Sequence, residues 1–483
     1  MKLTFWGAAR QVTGSMYLLE LEDDYRILID CGSDFESRER HKKDAKNKEK
    51  QEEPQRGLFP FEASMVNVVL LTHAHIDHSG AIPNLYKEGY EGQVLCTDAT
   101  LSLTELLLKD AASLNQKKFN SINSAEGQRR KRGGKRKEMP KELYLEKTVR
   151  ESVENFVPLA FNRKFKVSDT CNVTFIPSGH LLGAAHIIVD VYENGQKKSL
   201  CFSGDIGRKN YPLLNDPSPV PEVDYLICET TYGNRFHVNK ETPVEALAEV
   251  IQRTCVDMAG RLIIPSFSIG RTQALLYTLN KIYSDKGITP VKVFTDSPLA
   301  LESSKVHQKN IRLLSKEARE FNEENESLFD FENLIYLEST DESRSVSSHV
   351  EPCIIISSSG MVQGGRVEHH VSQNIGNPYC TILIIGYCAE GTLGWRLMNG
   401  QTTIKIKGKD EPVLAKVERI DVFSGHGDHN DLIDFVKQQQ PEKLKKTFLI
   451  HGELSSMEAF KISLEEIGYT NVEIPAKGQS YEL

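Results

Sequence analysis

Residues 72–80 read THAHIDHSG and follow directly on the apolar run VNVVLL of residues 66–71. The run predicts a buried strand, because it is continuous in Val and Leu and is followed at once by polar residues. His73 and His75 are alternate residues beyond its end, so both imidazoles can face one divalent metal ion. Asp77 and His78, one turn further on, can address a second ion. The stretch therefore predicts a metal centre at the end of a strand.

The composition is that of a globular protein. Of the 483 residues, 39% are hydrophobic and 26% are charged, and the length allows two or three domains. The formal net charge of −8 excludes a globally basic protein that coats nucleic acid. The nine cysteines form no C-x-x-C pair, so we expect buried free thiols. The apolar runs are too short to cross a bilayer and the first residues do not resemble a signal peptide, so we expect no membrane association and a cytoplasmic location.

Short strand patterns alternate with helical patterns, which predicts an α/β fold. The predicted strands before residue 235 are 2–6, 25–30, 66–72, 173–176, 187–191, 199–203 and 225–229. Polar residues stand at or just beyond the ends of several of these strands, where open α/β sheets place their sites. From residue 242 onward, a helix at 243–255, strands at 261–265 and 291–295 and a helix opening at 270–272 predict a second α/β block.

A centre with two metal ions needs further ligands from other strand ends. His180, Asp205 and His451 each follow a strand pattern. A lone residue of this kind is structural at least as often as it is a ligand, but the three beside H-x-H-x-D-H are better explained as ligands. Two ions can activate a water and clamp a phosphodiester, so the pattern predicts a hydrolase. His426 is a candidate acid for the leaving oxygen, with Glu229 to orient it.

The motifs resemble the metallo-β-lactamase fold in its β-CASP branch of nucleic-acid-processing nucleases. The resemblance is close to the RNA 3′-end cleavage nuclease and its prokaryotic relatives. The matching motifs are Asp30, HAHIDHSG, His180 in SGHLLGAAH, Asp205 in SGDIG, Glu229 in ETTYG, His426 in FSGHGDH and His451 in LIHGE. The blocks PSFSIGRTQALLY, SSSGMVQGGR and GYCAEGTLGWR add to it, so the resemblance covers nearly the whole chain.

The resemblance implies a four-layer αββα lactamase domain in residues 1–235 and 392–483, interrupted by an α/β β-CASP cap domain in residues 236–391. It implies two zinc ions per chain. One would be held by His73, His75 and His180, the other by Asp77, His78 and His451, with Asp205 bridging them. Asp30 would orient the ligand loop, and Asp77, Glu229 and His426 would be the catalytic residues. The implied phosphate contacts are Arg271, Ser358, Ser359 and Ser424, although residues 357–365 are equally explained as a tight turn.

The activity implied is hydrolysis of single-stranded RNA, by internal cuts or from the 5′ end. Members with histidine at the position of His451 act chiefly on RNA, whereas DNA-directed members usually carry valine. A DNA-directed nuclease and a small-molecule ester or thioester hydrolase are the alternatives, with a non-catalytic RNA-binding subunit as a third. The block at 242–391 argues against the small-molecule hydrolase, and the full ligand set argues against the non-catalytic subunit. Relatives of this branch are often dimers, so a homodimer is expected.

Two segments look inserted. Residues 36–55 are nearly all charged or polar, and residues 128–137 contain seven basic residues. The basic run is explained either as a solvated loop or as a phosphate-binding element. Three aromatic residues, Phe236, Tyr232 and Trp395, are candidates for base stacking, with burial in the core as the alternative.

Overall fold

The computed structural model describes residues 1–34, 58–131, 140–238, 241–284, 288–406 and 409–483, with side chains of the long helix described up to residue 124. The predicted insertion at 36–55 lies outside the described residues. In the predicted insertion at 128–137, residues 128–131 continue a helix and the remainder lies outside. The chain forms two compact units. The first contains Met1–Gly207, Pro217–Phe236 and His426–Leu483, and the second contains Arg208–Asp216 and His237–Gly425.

The first unit contains two seven-stranded sheets. In chain order its strands are β1 (Lys2–Gly7), β2 (Met16–Glu20), β3 (Arg26–Ile29), β4 (Val68–Leu70), β5 (Gln93–Thr97), β6 (Phe156–Leu159), β7 (Lys164–Lys166), β8 (Cys171–Pro177), β9 (Ala185–Glu193), β10 (Gln196–Phe202), β11 (Tyr225–Glu229), β20 (Lys446–Ile450), β21 (Val472–Glu473) and β22 (Gln479–Glu482). The first sheet has the order β22-β1-β2-β3-β4-β5-β6, and the second has the order β21-β20-β11-β10-β9-β8-β7. The predicted strands are confirmed to within a few residues at each end.

The two sheets pack face to face and have helices on their outer sides. Phe5 and Leu19 of the first sheet share one buried core with Phe175, Phe202 and Phe448 of the second. The rings of Phe5 and Phe448 are 5.0 Å apart. The outer face of each sheet has its own apolar core, which includes helical residues. This layering buries both faces of each sheet and confirms the predicted four-layer αββα fold.

Among the described residues, six α-helices form the outer layers. They are α1 (Ile76–Ser79), α2 (Ile82–Lys87), α3 (Asp98–Lys131), α4 (Glu146–Val153), α12 (His429–Val436) and α13 (Leu454–Glu466). No helix in the described ranges has a stretch both long and apolar enough to span a membrane. All nine cysteines are buried free thiols, as predicted.

The second unit is built on a parallel sheet. Its strands are β12 (Arg261–Pro265), β13 (Lys292–Asp296), β14 (Leu334–Tyr336), β15 (Cys353–Ser357), β16 (Cys380–Ile384), a hairpin of β17 (Thr403–Ile406) and β18 (Lys409–Pro412), and β19 (Lys416–Arg419). The sheet order is β14-β13-β15-β12-β16-β19, and every neighbouring pair is parallel. Its helices are α5 (Pro243–Ile251), which continues as a π-helical turn (Gln252–Asp257), α6 (Arg271–Ser284), α7 (Pro298–Lys309), α8 (Lys316–Asn325), α9 (Thr340–Ser345), α10 (Val367–Asn374) and α11 (Leu393–Met398).

The second unit differs in extent from the predicted cap domain of residues 236–391. It continues to Gly425 because β19 pairs with β16 and extends the parallel sheet. It also takes in Arg208–Asp216, where Leu214 pairs with Leu314. Strand pairing between residues far apart in the chain sets these limits. The local sequence pattern around residue 391 does not indicate this pairing.

Candidate metal centre

The ligand-type residues of the first unit lie at strand ends of both sheets. In the first sheet, Asp30 follows β3, and the loop that contains His73 and His75 follows β4. In the second sheet, His180 follows β8, Asp205 follows β10 and His451 follows β20. The sheets meet at this edge, since the Ala185 amide of β9 donates to the Thr72 carbonyl at 3.0 Å. The packing of the two sheets therefore brings the distant motifs together.

One group of side chains converges around His73, His75, His180 and Asp205. His75 Nδ1 lies 3.0 Å from His73 Nε2 and 3.2 Å from His180 Nε2. Asp205 Oδ2 lies 3.4 Å from Nε2 of both His73 and His180. All four ligand atoms lie within 4.8 Å of one another, so they can hold one metal ion.

A second group consists of Asp77, His78 and His451. His78 Nε2 lies 3.2 Å from His451 Nε2, which is 3.5 Å from Asp77 Oδ2. The other carboxylate oxygen of Asp205, Oδ1, faces this group at 3.3 Å from His78 Nε2 and 3.6 Å from His451 Nδ1. Asp205 therefore offers one oxygen to each group.

The chemistry of the donor set fits divalent cations such as zinc. Burial lowers the pKa of His73 well below its usual value and that of His75 to about 4, which favours the neutral imidazole that binds metals. Asp205 is buried, and its Oδ1 has the ring nitrogens of His78 and His451 as neighbours but no hydrogen bond of ordinary geometry among the described residues. A buried carboxylate oxygen without a donor is costly, and a bound cation would offset that cost.

Asp30 contacts Thr72, which precedes His73 of the first group, and His78 of the second group. Its Oδ1 accepts from the Thr72 amide at 2.8 Å, and its Oδ2 accepts from the Thr72 hydroxyl at 2.9 Å and lies 2.7 Å from His78 Nδ1. Since a carboxylate oxygen can only accept, His78 Nδ1 carries the proton, and its Nε2 faces His451 and Asp205. Burial alone would lower the pKa of His78, but the carboxylates of Asp205 and Asp30 raise it well above its usual value.

Glu229 and His426 form a pair at the edge of the centre. Glu229 is fully buried, and its Oε1 accepts from the Ile206 amide at 2.6 Å and lies 3.2 Å from His426 Nδ1. His426 Nε2 lies 3.9 Å from Asp205 Oδ2. Two residues after His426, Asp428 caps helix α12 by accepting from the Asn430 amide at 2.8 Å. The cap fixes the start of the helix that follows the histidine.

Two backbone features fix the ligand loops. Gly32 has no room for a side chain, because a Cβ there would lie 1.7 Å from the Asp77 carbonyl oxygen. Asp30 and His451 both adopt left-handed backbone conformations, with φ of 58° and 49°. Such conformations are uncommon outside glycine and cluster at functional sites.

The residues predicted to contact phosphate lie in the second unit. Arg271 follows β12, Ser358 and Ser359 follow β15, and Ser424 follows β19, so all four lie at the carboxyl edge of one parallel sheet. The Arg271 guanidinium lies 5.1 Å above the Phe267 ring. The Ser359 hydroxyl donates to the Gln363 carbonyl at 2.7 Å within a tight loop. The edge is where open α/β sheets bind ligands, and the phosphate contacts themselves stay predictions.

Two threonines that the sequence pattern did not indicate lie beside histidines of the candidate centre. The Thr72 hydroxyl lies 3.1 Å from His73 Nδ1 in addition to its bond with Asp30. The Thr231 hydroxyl lies 3.0 Å from His451 Nδ1. The only available signal was their position, directly before the histidine motif and inside ETTYG, because hydroxyl residues at strand ends are common for many reasons.

Comparisons with known proteins agree with this geometry. Residues 9–225 match the Metallo-beta-lactamase superfamily, residues 272–397 the Beta-Casp domain, and residues 410–475 the Zn-dependent metallo-hydrolase RNA specificity domain. The chain is 30% identical to Ribonuclease TTHA0252 of Thermus thermophilus, over 94% of this chain and 93% of that protein. It is 31% identical to Transcription termination factor FttA of Methanocaldococcus jannaschii (94% and 67%) and 28% identical to an RNase J-like protein of the same organism (99% and 98%).

A sandwich of two sheets with clustered His and Asp side chains at one edge, together with the match to the Metallo-beta-lactamase superfamily, identifies a metal-dependent hydrolase. With the family matches across all three segments, this chain belongs to the β-CASP branch of the metallo-β-lactamase superfamily.

Proposed function

We propose that this protein is a zinc-dependent ribonuclease that hydrolyses phosphodiester bonds of single-stranded RNA. The observation that carries the proposal is the position of Asp205, which offers one carboxylate oxygen to each of two ligand groups, with His426 beside it. The proposal assigns His73, His75 and His180 to one zinc ion and Asp77, His78 and His451 to the other. The names of the relatives, a ribonuclease and a transcription termination factor, support RNA as substrate.

When bound, two zinc ions would lower the pKa of a water between them and neutralise charge on the phosphate. The ligands hold their orientation through Asp30 and Thr72, which fix His78 and the start of the ligand loop. The protein's own groups then have to supply a proton to the leaving 3′ oxygen, so that the products carry 5′-phosphate and 3′-hydroxyl ends.

His426 is the proposed proton donor. Its Nδ1 faces Glu229 Oε1, which can only accept, so Nδ1 donates to the carboxylate. In the proposal, Glu229 orients the ring so that Nε2 delivers the proton to the leaving oxygen. Nε2 faces Asp205 and is therefore on the side where the phosphate would lie. Glu229 is itself held by the amides of Ile206 and Thr231, so the pair is oriented before substrate binds.

The test uses purified zinc-loaded protein with single-stranded RNA labelled at either end, carrying 5′-phosphate or 5′-hydroxyl, beside the same sequence as DNA. We expect RNA fragments that disappear in Asp77→Ala. We also expect His426→Ala to keep its zinc and lose turnover, because it lies outside both ligand groups. Cleavage of DNA alone, or no cleavage of any RNA, would contradict the proposal.

Three further features belong to the proposal. We infer two zinc ions per chain, which elemental analysis of the purified protein measures directly. We also infer a homodimer, which light scattering tests, and a cytoplasmic location, which fractionation tests.

A further inference from the structure

Phe236 exposes an aromatic ring to solvent in the segment that follows Glu229 and Tyr232. Its side chain lies in the loop after β11 and is 57% exposed. Tyr232 and Trp395, the other two stacking candidates, are placed differently. Tyr232 is buried against His426 at 5.9 Å between ring centres, and Trp395 packs against the core of the second unit. A single exposed apolar residue is common in proteins, so exposure alone assigns nothing to Phe236.

The ring of Phe236 is supported by a histidine whose orientation is fixed. The ring centres of Phe236 and His429 lie 4.9 Å apart. His429 Nδ1 lies 2.6 Å from the Gly233 carbonyl, which can only accept, so the nitrogen donates and the tautomer is set. The His429 ring also meets Phe460 edge-on at 5.6 Å between ring centres, and Phe460 is fully buried. The exposed ring therefore rests on a support that is anchored in the core.

Backbone hydrogen bonds connect the loop of Phe236 to the segment that contains the proposed proton donor, His426. The His429 amide donates to the Arg235 carbonyl at 2.9 Å, and the Arg235 amide donates to the Tyr232 carbonyl at 3.0 Å. His426 is three residues before His429, which limits their Cα separation to about 11 Å. All these residues belong to the first unit. Phe236 and the proposed proton donor are thus held in one hydrogen-bonded part of the first unit.

We propose that Phe236 stacks on a base of the RNA strand held at the metal centre and so selects unpaired nucleotides. This inference rests on the proposed ribonuclease function. Every base has a π face, so an aromatic platform accepts any sequence. A base inside a duplex already stacks on its neighbours, so only an unpaired base can be splayed onto the ring. Phe236 would therefore contribute to affinity for single strands and not to the choice of sequence.

The experiment measures KM and kcat of zinc-loaded protein on a short RNA and on a series in which one abasic nucleotide moves along the strand. In the wild type we expect one position at which the missing base raises KM by about 5- to 150-fold, the range that corresponds to loss of one stacked base. Phe236→Ala should raise KM on intact RNA by a similar factor. For Phe236→Ala, an abasic nucleotide at that position should then cause no further increase in KM.

Companion variants separate stacking from simple loss of apolar volume or of fold. Phe236→Trp should keep the wild-type KM, whereas Phe236→Leu should behave like Phe236→Ala. Phe165→Ala is the matched control, because Phe165 is an exposed phenylalanine on β7 of the same unit and should leave KM unchanged. Zinc content and melting temperature check that each variant is folded.

The outcomes distinguish this inference from the function on which it rests. If wild-type protein cuts RNA and Phe236→Leu has the same KM and the same abasic profile, Phe236 is not a stacking residue. If wild-type protein cuts no RNA, the proposed function fails and the inference fails with it.

Discussion

Replacement of Asp30 by Asn should weaken zinc binding although it replaces none of the proposed zinc ligands. The carboxylate accepts three hydrogen bonds in a fully buried position, two from Thr72 and one from His78 Nδ1. Asparagine keeps one acceptor oxygen for the Thr72 amide. Its NH₂ group would instead face the Nδ1–H of His78 and the Thr72 hydroxyl, so a donor would meet a donor where Oδ2 now accepts.

The magnitude follows from the lost bond. A hydrogen bond to a charged group contributes about 1.5–3 kcal/mol, and loss of a residue that orients a metal ligand typically lowers metal affinity about 10- to 100-fold. We therefore expect Asp30→Asn to bind zinc about 10- to 100-fold more weakly. We also expect its free energy of unfolding, measured without metal, to fall by about 2 kcal/mol.

The assay is competition for zinc against a chromophoric chelator, with urea unfolding of the metal-free protein in parallel. Asp190→Asn is the matched control. Asp190 is also a buried carboxylate of the first unit, bonded to the Ser199 hydroxyl at 2.8 Å and paired with Lys197 at 2.9 Å. It lies well along β9, about 17 Å from the strand end at Ala185, so this variant should lose stability but keep its zinc affinity. Equal zinc affinity in Asp30→Asn and wild type would refute the supporting role of Asp30.

Three further predictions concern local packing and charge. Gly32→Ala would place a Cβ 1.7 Å from the Asp77 carbonyl oxygen, so we expect at least about 3 kcal/mol lower stability and weaker zinc binding; a wild-type melting curve would contradict the close approach. Burial lowers the pKa of His307 to about 4 from its usual 6.5. The neutral, buried imidazole therefore contributes fully to the free energy of unfolding above pH 6.5, and this contribution is lost as pH falls toward 4. Between pH 8 and pH 5 the wild type should lose about 2 kcal/mol more than His307→Phe in urea unfolding, and parallel pH profiles would show that His307 is not the cause. Asp296 is fully buried between Arg366 Nη1 at 2.7 Å and His370 Nε2 at 2.6 Å, so Asp296→Ala should cost about 3–5 kcal/mol in calorimetric unfolding of the second unit, whereas a loss below 1 kcal/mol would mean that water replaces the carboxylate.

Much of the site was predictable because its residues stand in short local patterns. The histidine motif of residues 73–78 and the strands before it were visible in the sequence, and so were the isolated His180, Asp205 and His451. The strand patterns also indicated the α/β layers, because continuous apolar runs such as 66–71 are required when a strand is covered on both faces.

The rest depends on contacts between residues far apart in the chain. The part of Thr231 in supporting His451 follows from the pairing of β11 with β20, which no local pattern specifies. The same holds for β19, which joins the second unit through a register with β16. Tyr232 and Phe236 are four residues apart in one loop, and only the packing of His426 and His429 determines that the first is buried and the second exposed.

The position of His451 has a consequence for the order in which the protein matures. His78 and His451 are separated by 373 residues, and at about 5–20 residues per second a ribosome needs tens of seconds between the two. During that interval His73, His75, His180 and Asp205 can already have emerged from the ribosome, whereas His451 has not. The segment that contains His451 therefore closes a very long loop when it joins the early part of the chain. If the proposed assignment of His78 and His451 to one zinc ion holds, that ion would link the late segment to the early one, and zinc supply during synthesis would affect the yield of folded protein as well as its activity.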